Sequence, residues 1–297
     1  MYGMVVLDVT TPECPSVLAE LIEGQGGMAL KHFFINKRIV YTACGKSGLR
    51  IFTNIDTNID EIGALMHSRY GAKCVAVQGD IALVTFGLAG VRVLDVANPS
   101  SPVELGGFKD DTHEARFVLL RDGWGFVSFG HSGIRILDVT NGSLPCEISS
   151  FSHGSFDARH MALAGPFLFV AFSYGGLKVL DVTNPFTPEE IGAVSFPSYA
   201  ANCVQVLEDI VYVALGNGGL RILRFHAPRR QFEPLGSYVD AEADITSVHV
   251  TDDRLAFACL RQGELKILDV RNPINVREIG AYRPDVRRLL CQHCAVM

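Results

Sequence analysis

Short runs of five or six mostly apolar residues, rich in β-branched and aromatic side chains, recur along this chain between positions of Gly, Asn, Asp or Pro. Runs of this length and composition bounded by turn residues predict β-strands, and no stretch carries helical spacing over a useful length. Residues 73–77 and 81–86 read as strands joined by a Gly79-Asp80 turn, and residues 91–96 and 103–108 follow as a third and a fourth. Glycines 87 and 90 close the central hairpin, where they take φ > 0 without strain, and Asn98-Pro99 turns the chain into the last strand. Each such unit is a four-stranded antiparallel meander.

The pattern recurs. The third strand reads GMVVLDVTTP at 3–12, GLRIF at 48–52, GVRVLDVANP at 90–99 and GIRILDVTNG at 133–142. It continues as GLKVLDVTNP at 176–185, GLRILRF at 219–225 and ELKILDVRNP at 264–273, making seven copies. Their anchors Gly3, Gly48, Gly90, Gly133, Gly176, Gly219 and Glu264 lie 45, 42, 43, 43, 43 and 45 residues apart, which is room for four short strands each. A sheet apolar on both faces cannot stand alone in water, so neighbouring copies must stack face to face. Twisted sheets stacked about an axis give a β-propeller, here expected as one all-β domain over 1–297 with seven blades, six being the alternative. The chain begins at a third strand, and 286–297 are expected to supply the missing inner strand, near 289–294.

The Gly-Leu-Arg-Ile-Leu-Asp-Val-x-Asn-Pro signature resembles the LVIVD-repeat family of β-propellers. The resemblance spans 3 to about 282 and implies the fold, on proteins often joined to other modules at cell surfaces. It implies almost nothing about activity, because a propeller is a frame that carries unrelated functions. This chain departs from the surface habit: Met1 leads almost directly into a strand, leaving no room for an export signal, so a cytoplasmic location is expected.

Composition narrows the partners. Hydrophobic residues make up 48% and charged residues 20%, which excludes a disordered chain, and a net charge of -6 gives no footprint for a nucleic-acid backbone or an anionic membrane. No apolar run approaches the roughly 20 residues of a membrane span. The eight cysteines fall mostly inside strand-like runs, as buried thiols rather than a disulfide framework.

Two basic columns emerge when the units are aligned. Lys31, Lys73, Arg116 and Arg159, with Asn202 and Thr246, stand at the start of the first strand, where they can converge on the channel mouth and hold an anion; packing of their stems between blades is the competing role. Arg50, Arg92, Arg135, Lys178, Arg221 and Lys266 sit inside the third strand of nearly every unit, which points to a shared structural role such as an inter-blade ion pair. Asp8, Asp95, Asp138, Asp181 and Asp269 are expected to pin the turn that follows them.

Loops between units vary most, and on a rigid frame variable loops carry recognition. Asp110, Asp111, His113, Asp157, Asp240 and Glu242 are the candidate partner contacts. Asp110, Asp111, His113, Glu114, Asp157 and His160 are also chemically able to hold a divalent cation, but their spacing matches no metal motif, and solvated acidic loops are the simpler account. Cys291-Gln-His-Cys294 offers half of a zinc site with no second half. No nucleophile elbow, carboxylate pair or phosphate loop is present, and no cofactor is expected. The chain therefore reads as a non-enzymatic scaffold for a protein partner. The alternative is a small-anion binder or enzyme using Lys31, Lys73, Arg116 and Arg159.

Overall fold

The computed structural model describes residues 3–22, 30–53, 55, 57, 59–67, 69–240 and 244–284. They form an all-β propeller of six four-stranded blades plus one two-stranded sheet. This corrects the expected seven blades to the six-bladed alternative. The first copy of the repeat contributes only its third and fourth strands, β1 (Gly3–Asp8) and β2 (Ser16–Ile22), so seven signatures make six complete sheets among the described residues.

The first complete sheet holds β3 (His32–Asn36), β4 (Ile39–Ala43), β5 (Leu49–Thr53) and β6 (Asp60–Leu65). The second holds β7 (Cys74–Gln78), β8 (Ile81–Thr85), β9 (Val91–Asp95) and β10 (Val103–Phe108). The third holds β11 (Phe117–Arg121), β12 (Trp124–Ser128), β13 (Ile134–Asp138) and β14 (Cys146–Phe151). Next come β15 (His160–Ala164), β16 (Phe167–Ala171), β17 (Leu177–Asp181) and β18 (Glu189–Val194). The fifth sheet holds β19 (Cys203–Leu207), β20 (Ile210–Ala214), β21 (Leu220–His226) and β22 (Gln231–Tyr238). The sixth holds β23 (Ile245–Val250), β24 (Leu255–Leu260), β25 (Leu265–Asp269) and β26 (Arg277–Tyr282). In the six four-stranded sheets the strands pair in sequence order and antiparallel. In the fifth sheet Arg224 replaces the turn-pinning Asp, and a short 3-10 turn, Ala227–Arg229, stands between β21 and β22.

Two compact units divide the chain, Met1–Leu7 with Val17–Ser155, and Asp8–Ser16 with Phe156–Met297. In each, the hydrophobic core lies between sheets rather than inside one. In the first unit Tyr41, Leu49 and Ile51 of one sheet pack on Val75, Val84 and Leu94 of the next. In the second, Tyr212, Leu220 and Ile222 pack on Val248, Val250 and Ala258. Second strands are the most enclosed, because sheets cover both their faces and strands pair along both their edges.

The signature's recurrent positions have local causes. Gly90 holds φ +80°, and a Cβ there would meet the Phe108 carbonyl. The Asp column pins its turns as expected: Asp8, Asp138 and Asp181 each accept from the main-chain N–H and the hydroxyl of the Thr two residues on. The third-strand cations pair mainly within their own sheet. Arg50 meets Glu61 at 2.6 Å, Lys178 meets Glu190 at 2.7 Å and Lys266 meets Glu278 at 2.9 Å, all on the fourth strand. Where the fifth sheet has Pro234 in place of that Glu, Arg221 donates to the Gly218 carbonyl instead.

Cys44, Cys74 and Cys203 are buried free thiols, and burial pushes Cys74 and Cys203 up to about 12. Cys259, by contrast, is disulfide-bonded, a departure from thiols throughout.

Candidate functional site

In each sheet the first strand begins on the same face as the hairpin between the second and third strands. The cause is a pair of main-chain staples. In the first unit Lys31, Lys73 and Arg116 donate their N–H groups to Ala43, Thr85 and Ser128, near the ends of the second strands. Just before them, Ala72 bridges to Gly45 and Ala115 to Gly87, tying each first strand to the hairpin of the preceding sheet. The second unit repeats this with Arg159 on Ala171, Asn202 on Ala214, and the bridges Ser173 to Ala201 and Gly216 to Ile245. The aligned column thus occupies equivalent places from sheet to sheet.

Three of its four cations already lie beside acids. In the first unit Glu114 accepts from the Lys73 ammonium at 2.5 Å and lies 3.9 Å from Arg116 Nε. The hydrogen bond from Lys73 holds the Glu114 carboxyl below the usual range. In the second unit Arg159 lies 3.6 Å from Asp157 and donates to the Asn202 side-chain oxygen. Lys31 makes no side-chain ion pair or hydrogen bond to any described residue.

The sequence offers Glu114 and Asp157 only as loop groups for a cation or a partner, and not as the acids that stand beside the basic column. Glu114, Asp157 and Asp244 each stand two residues before a member of the column, Arg116, Arg159 and Thr246. Asp244 pairs with Arg261 at 2.5 Å. The signal for those carboxylates is an acid-x-column spacing that recurs in three of the units.

The loop residues divide into anchors and exposed groups. Asp110 accepts from Thr112 N–H at 2.8 Å, Thr112 Oγ1 at 2.7 Å and His113 N–H at 3.0 Å, and pairs with Arg135 of the next sheet at 3.0 Å. Burial opposes its ionisation, but the donors from Thr112, Arg135 and His113 outweigh that and hold the carboxyl well below its ordinary range. Asp240 plays the same part in the second unit, 2.5 Å from the Lys266 ammonium. Lys266 is nearly buried; desolvation alone would lower its pKa, yet Asp240, Glu278 and Tyr238 together raise it. An inter-blade ion pair therefore exists at these two places, supplied by loop acids. Among the described residues Asp111 pairs only with Lys109, at 2.7 Å, and its side chain is 81% exposed. His113 stays with Asp110, and Glu242 and the Cys291-Gln-His-Cys294 segment lie outside the described residues.

The same loops and hairpins expose large apolar side chains. Met66 and Leu88 do so in the first unit, and Phe156, Tyr174, Tyr199 and Val239 in the second. Among the described residues, no three His, Cys, Asp or Glu side chains converge to hold a metal ion. No helix among them is long and apolar enough to cross a membrane.

Comparison with known proteins agrees with the repeat. The family model described as LVIVD repeat matches residues 71–110, 156–195 and 200–223, so the chain carries LVIVD repeats. No curated protein matches it. Among solved structures, the computationally designed Ika8 protein is similar at 12% identity with a TM-score of 0.64, covering 88% of each chain. A chain of the Mitotic Checkpoint Complex is similar at 13% identity with a TM-score of 0.70, covering 89% of this chain and 84% of that one. At such identities the likeness is one of fold alone.

Proposed function

We propose that this LVIVD-repeat propeller is a non-enzymatic scaffold that binds a protein partner through its inter-blade loops and hairpin tips. The observation that carries this is the exposed set of Met66 and Leu88 in the first unit and Phe156, Tyr174, Tyr199 and Val239 in the second, each on a loop that leads into a first strand or on a hairpin between a second and a third strand. Large apolar and aromatic side chains held in water by a rigid frame are the usual anchors of protein interfaces. Asp111 adds an exposed charge at the rim, whereas Asp110 and Asp240 serve to hold the loops in shape.

The alternative, an anion site on Lys31, Lys73, Arg116 and Arg159, must first break the pairs with Glu114 and Asp157. Those existing pairs favour the protein partner over an anion.

Proximity labelling in the native cell, read by mass spectrometry, tests the proposal when the wild-type chain is compared with a Leu88→Ala/Tyr174→Ala double variant. The expected result is a partner whose labelling falls about tenfold in the variant, the loss of roughly one anchor's binding energy. Identical labelling profiles would remove the apolar tips from the account. Stabilisation of the purified protein by millimolar phosphate or citrate, abolished in Lys73→Ala/Arg116→Ala, would instead favour the anion site.

A further inference from the structure

Two third-strand arginines of the first unit, Arg92 and Arg135, stand at equivalent places in neighbouring sheets and keep different company. Arg135 gives its guanidinium to three acceptors: Asp110 of the preceding loop at 3.0 Å, Ser132 Oγ of its own hairpin at 2.8 Å and Glu147 of β14 at 3.3 Å. In the second sheet two of those three are replaced. His67 stands six residues before Lys73, as Asp110 stands six before Arg116, and Ala89 stands three before Arg92, as Ser132 stands three before Arg135. The third counterpart, Glu104, lies 3.6 Å from Arg92 Nε, too far for a hydrogen bond, and that Nε is buried with no partner among the described residues.

His67 does half of the aspartate's work. Asp110 accepts through Oδ1 from the main-chain N–H groups two and three residues on, and through Oδ2 from Arg135. His67 Nδ1 accepts from the same two positions, Arg69 and Tyr70 at 3.3 Å, with its ring against Phe86 and Tyr70. An imidazole that accepts through Nδ1 carries its proton on Nε2, so it holds the turn and offers a cation nothing to pair with. Arg92 has room of its own at this place. Its strand partner is Gly107, where the other five sheets have Ala or Ser, and a Cβ there would run into Arg92 Nη1. The Arg92 side chain is 23% exposed.

We propose that Arg92 receives an Asp or Glu carboxylate of the protein partner, bound where the Asp110 carboxylate sits in the third sheet. The third sheet shows what this arginine fits: a carboxylate matches the planar fork of a guanidinium in both charge and shape, and here the chain supplies an imidazole in its place. Apolar neighbours mark the source as a protein. Met66 adjoins His67, and Leu88 lies in the hairpin that leads into β9, both exposed, so an apolar residue beside the incoming acid would meet them. The inference rests on reading the loops and hairpin tips as the partner surface, and it adds what the partner must bring, an acid flanked by apolar side chains.

An acid restored to the loop would compete with one brought by a partner, which supplies the test. The probe is the peptide acetyl-Leu-Glu-Leu-amide, titrated into the isotope-labelled full chain while NMR follows the Arg92 Nε–H and the Met66 and Leu88 methyl signals. Saturable shifts at all three are expected, with about tenfold weaker binding when Gln replaces Glu in the peptide, because a charge-assisted pair is lost without any change to the protein. His67→Asp, which puts the acid back into the loop, should remove the Arg92 response, and Arg92→Met should bind the Glu and Gln peptides alike. Absence of any shift, equal affinity of the two peptides for the wild-type chain, an undiminished Arg92 response in His67→Asp, or sodium acetate binding as tightly as the peptide would overturn the proposal. Methyl shifts without one at Arg92 would also overturn it, while leaving the apolar tips as the partner's anchors.

Discussion

Asp110 illustrates how a residue that reads as surface chemistry becomes structural. Its carboxylate collects four donors from its own loop and from Arg135, which is why its pKa falls although burial pulls the other way. A carboxyl with a depressed folded-state pKa stabilises fully above its unfolded value, ordinarily 3.8, and loses that contribution as pH falls through the lower folded value. Asp110→Asn should cost about 1–2 kcal/mol at neutral pH, the worth of charge-assisted bonds partly replaced by the amide. In urea titrations from pH 7 down to pH 2, the gap between wild type and variant should close at the acid end. A gap that widens as the pH falls would contradict this role.

At the scale of the element, the outer strand matters most. In each of the six four-stranded sheets the pairing of the third with the fourth strand breaks register at one place, for example between Glu104 and Gly106, and between Ile222 and Leu223. The residue just past the bulge is Gly63, Gly106, Gly192, Gly236 or Gly280, with Ser149 in the third sheet. In the second unit a Cβ on Gly236 would run into the Pro273 carbonyl of the next sheet's Asn-Pro turn. The bulge therefore lets one sheet's edge receive the turn of its neighbour, and the Asn-Pro dipeptide and the glycine are one device. Gly236→Ala should cost about 2–3 kcal/mol because backbone has to move. Gly165→Ala should cost only about 1 kcal/mol, since that glycine has φ +54° but open space around it. Equal midpoints for the two variants in chemical denaturation would refute the steric account.

For the molecule as a whole, frame and display are separable. Repeat-wide residues fill the spaces between sheets, whereas the column of Lys73, Arg116 and Arg159 makes half-exposed pairs worth about 0–1 kcal/mol each. Replacing all three by alanine changes the net charge from -6 to -9 and should leave the thermal midpoint within a few degrees, as read by circular dichroism. A collapse of the fold would make the column part of the frame after all.

The amino-acid pattern alone determined strand content, the meander, the stacking of repeats and the turn-pinning role of Asp8, Asp138 and Asp181, because each rests on neighbours within a few residues or on recurrence at a fixed period. Blade number was miscounted, since a signature marks the third strand and says nothing of whether the first two accompany it. Only the tertiary structure decided which acid meets which cation: Glu114 reaches Lys73 across 41 positions, and Asp110 reaches Arg135 across 25. Such pairings depend on how one sheet's loop overhangs its neighbour, a distance in space that no period along the chain encodes.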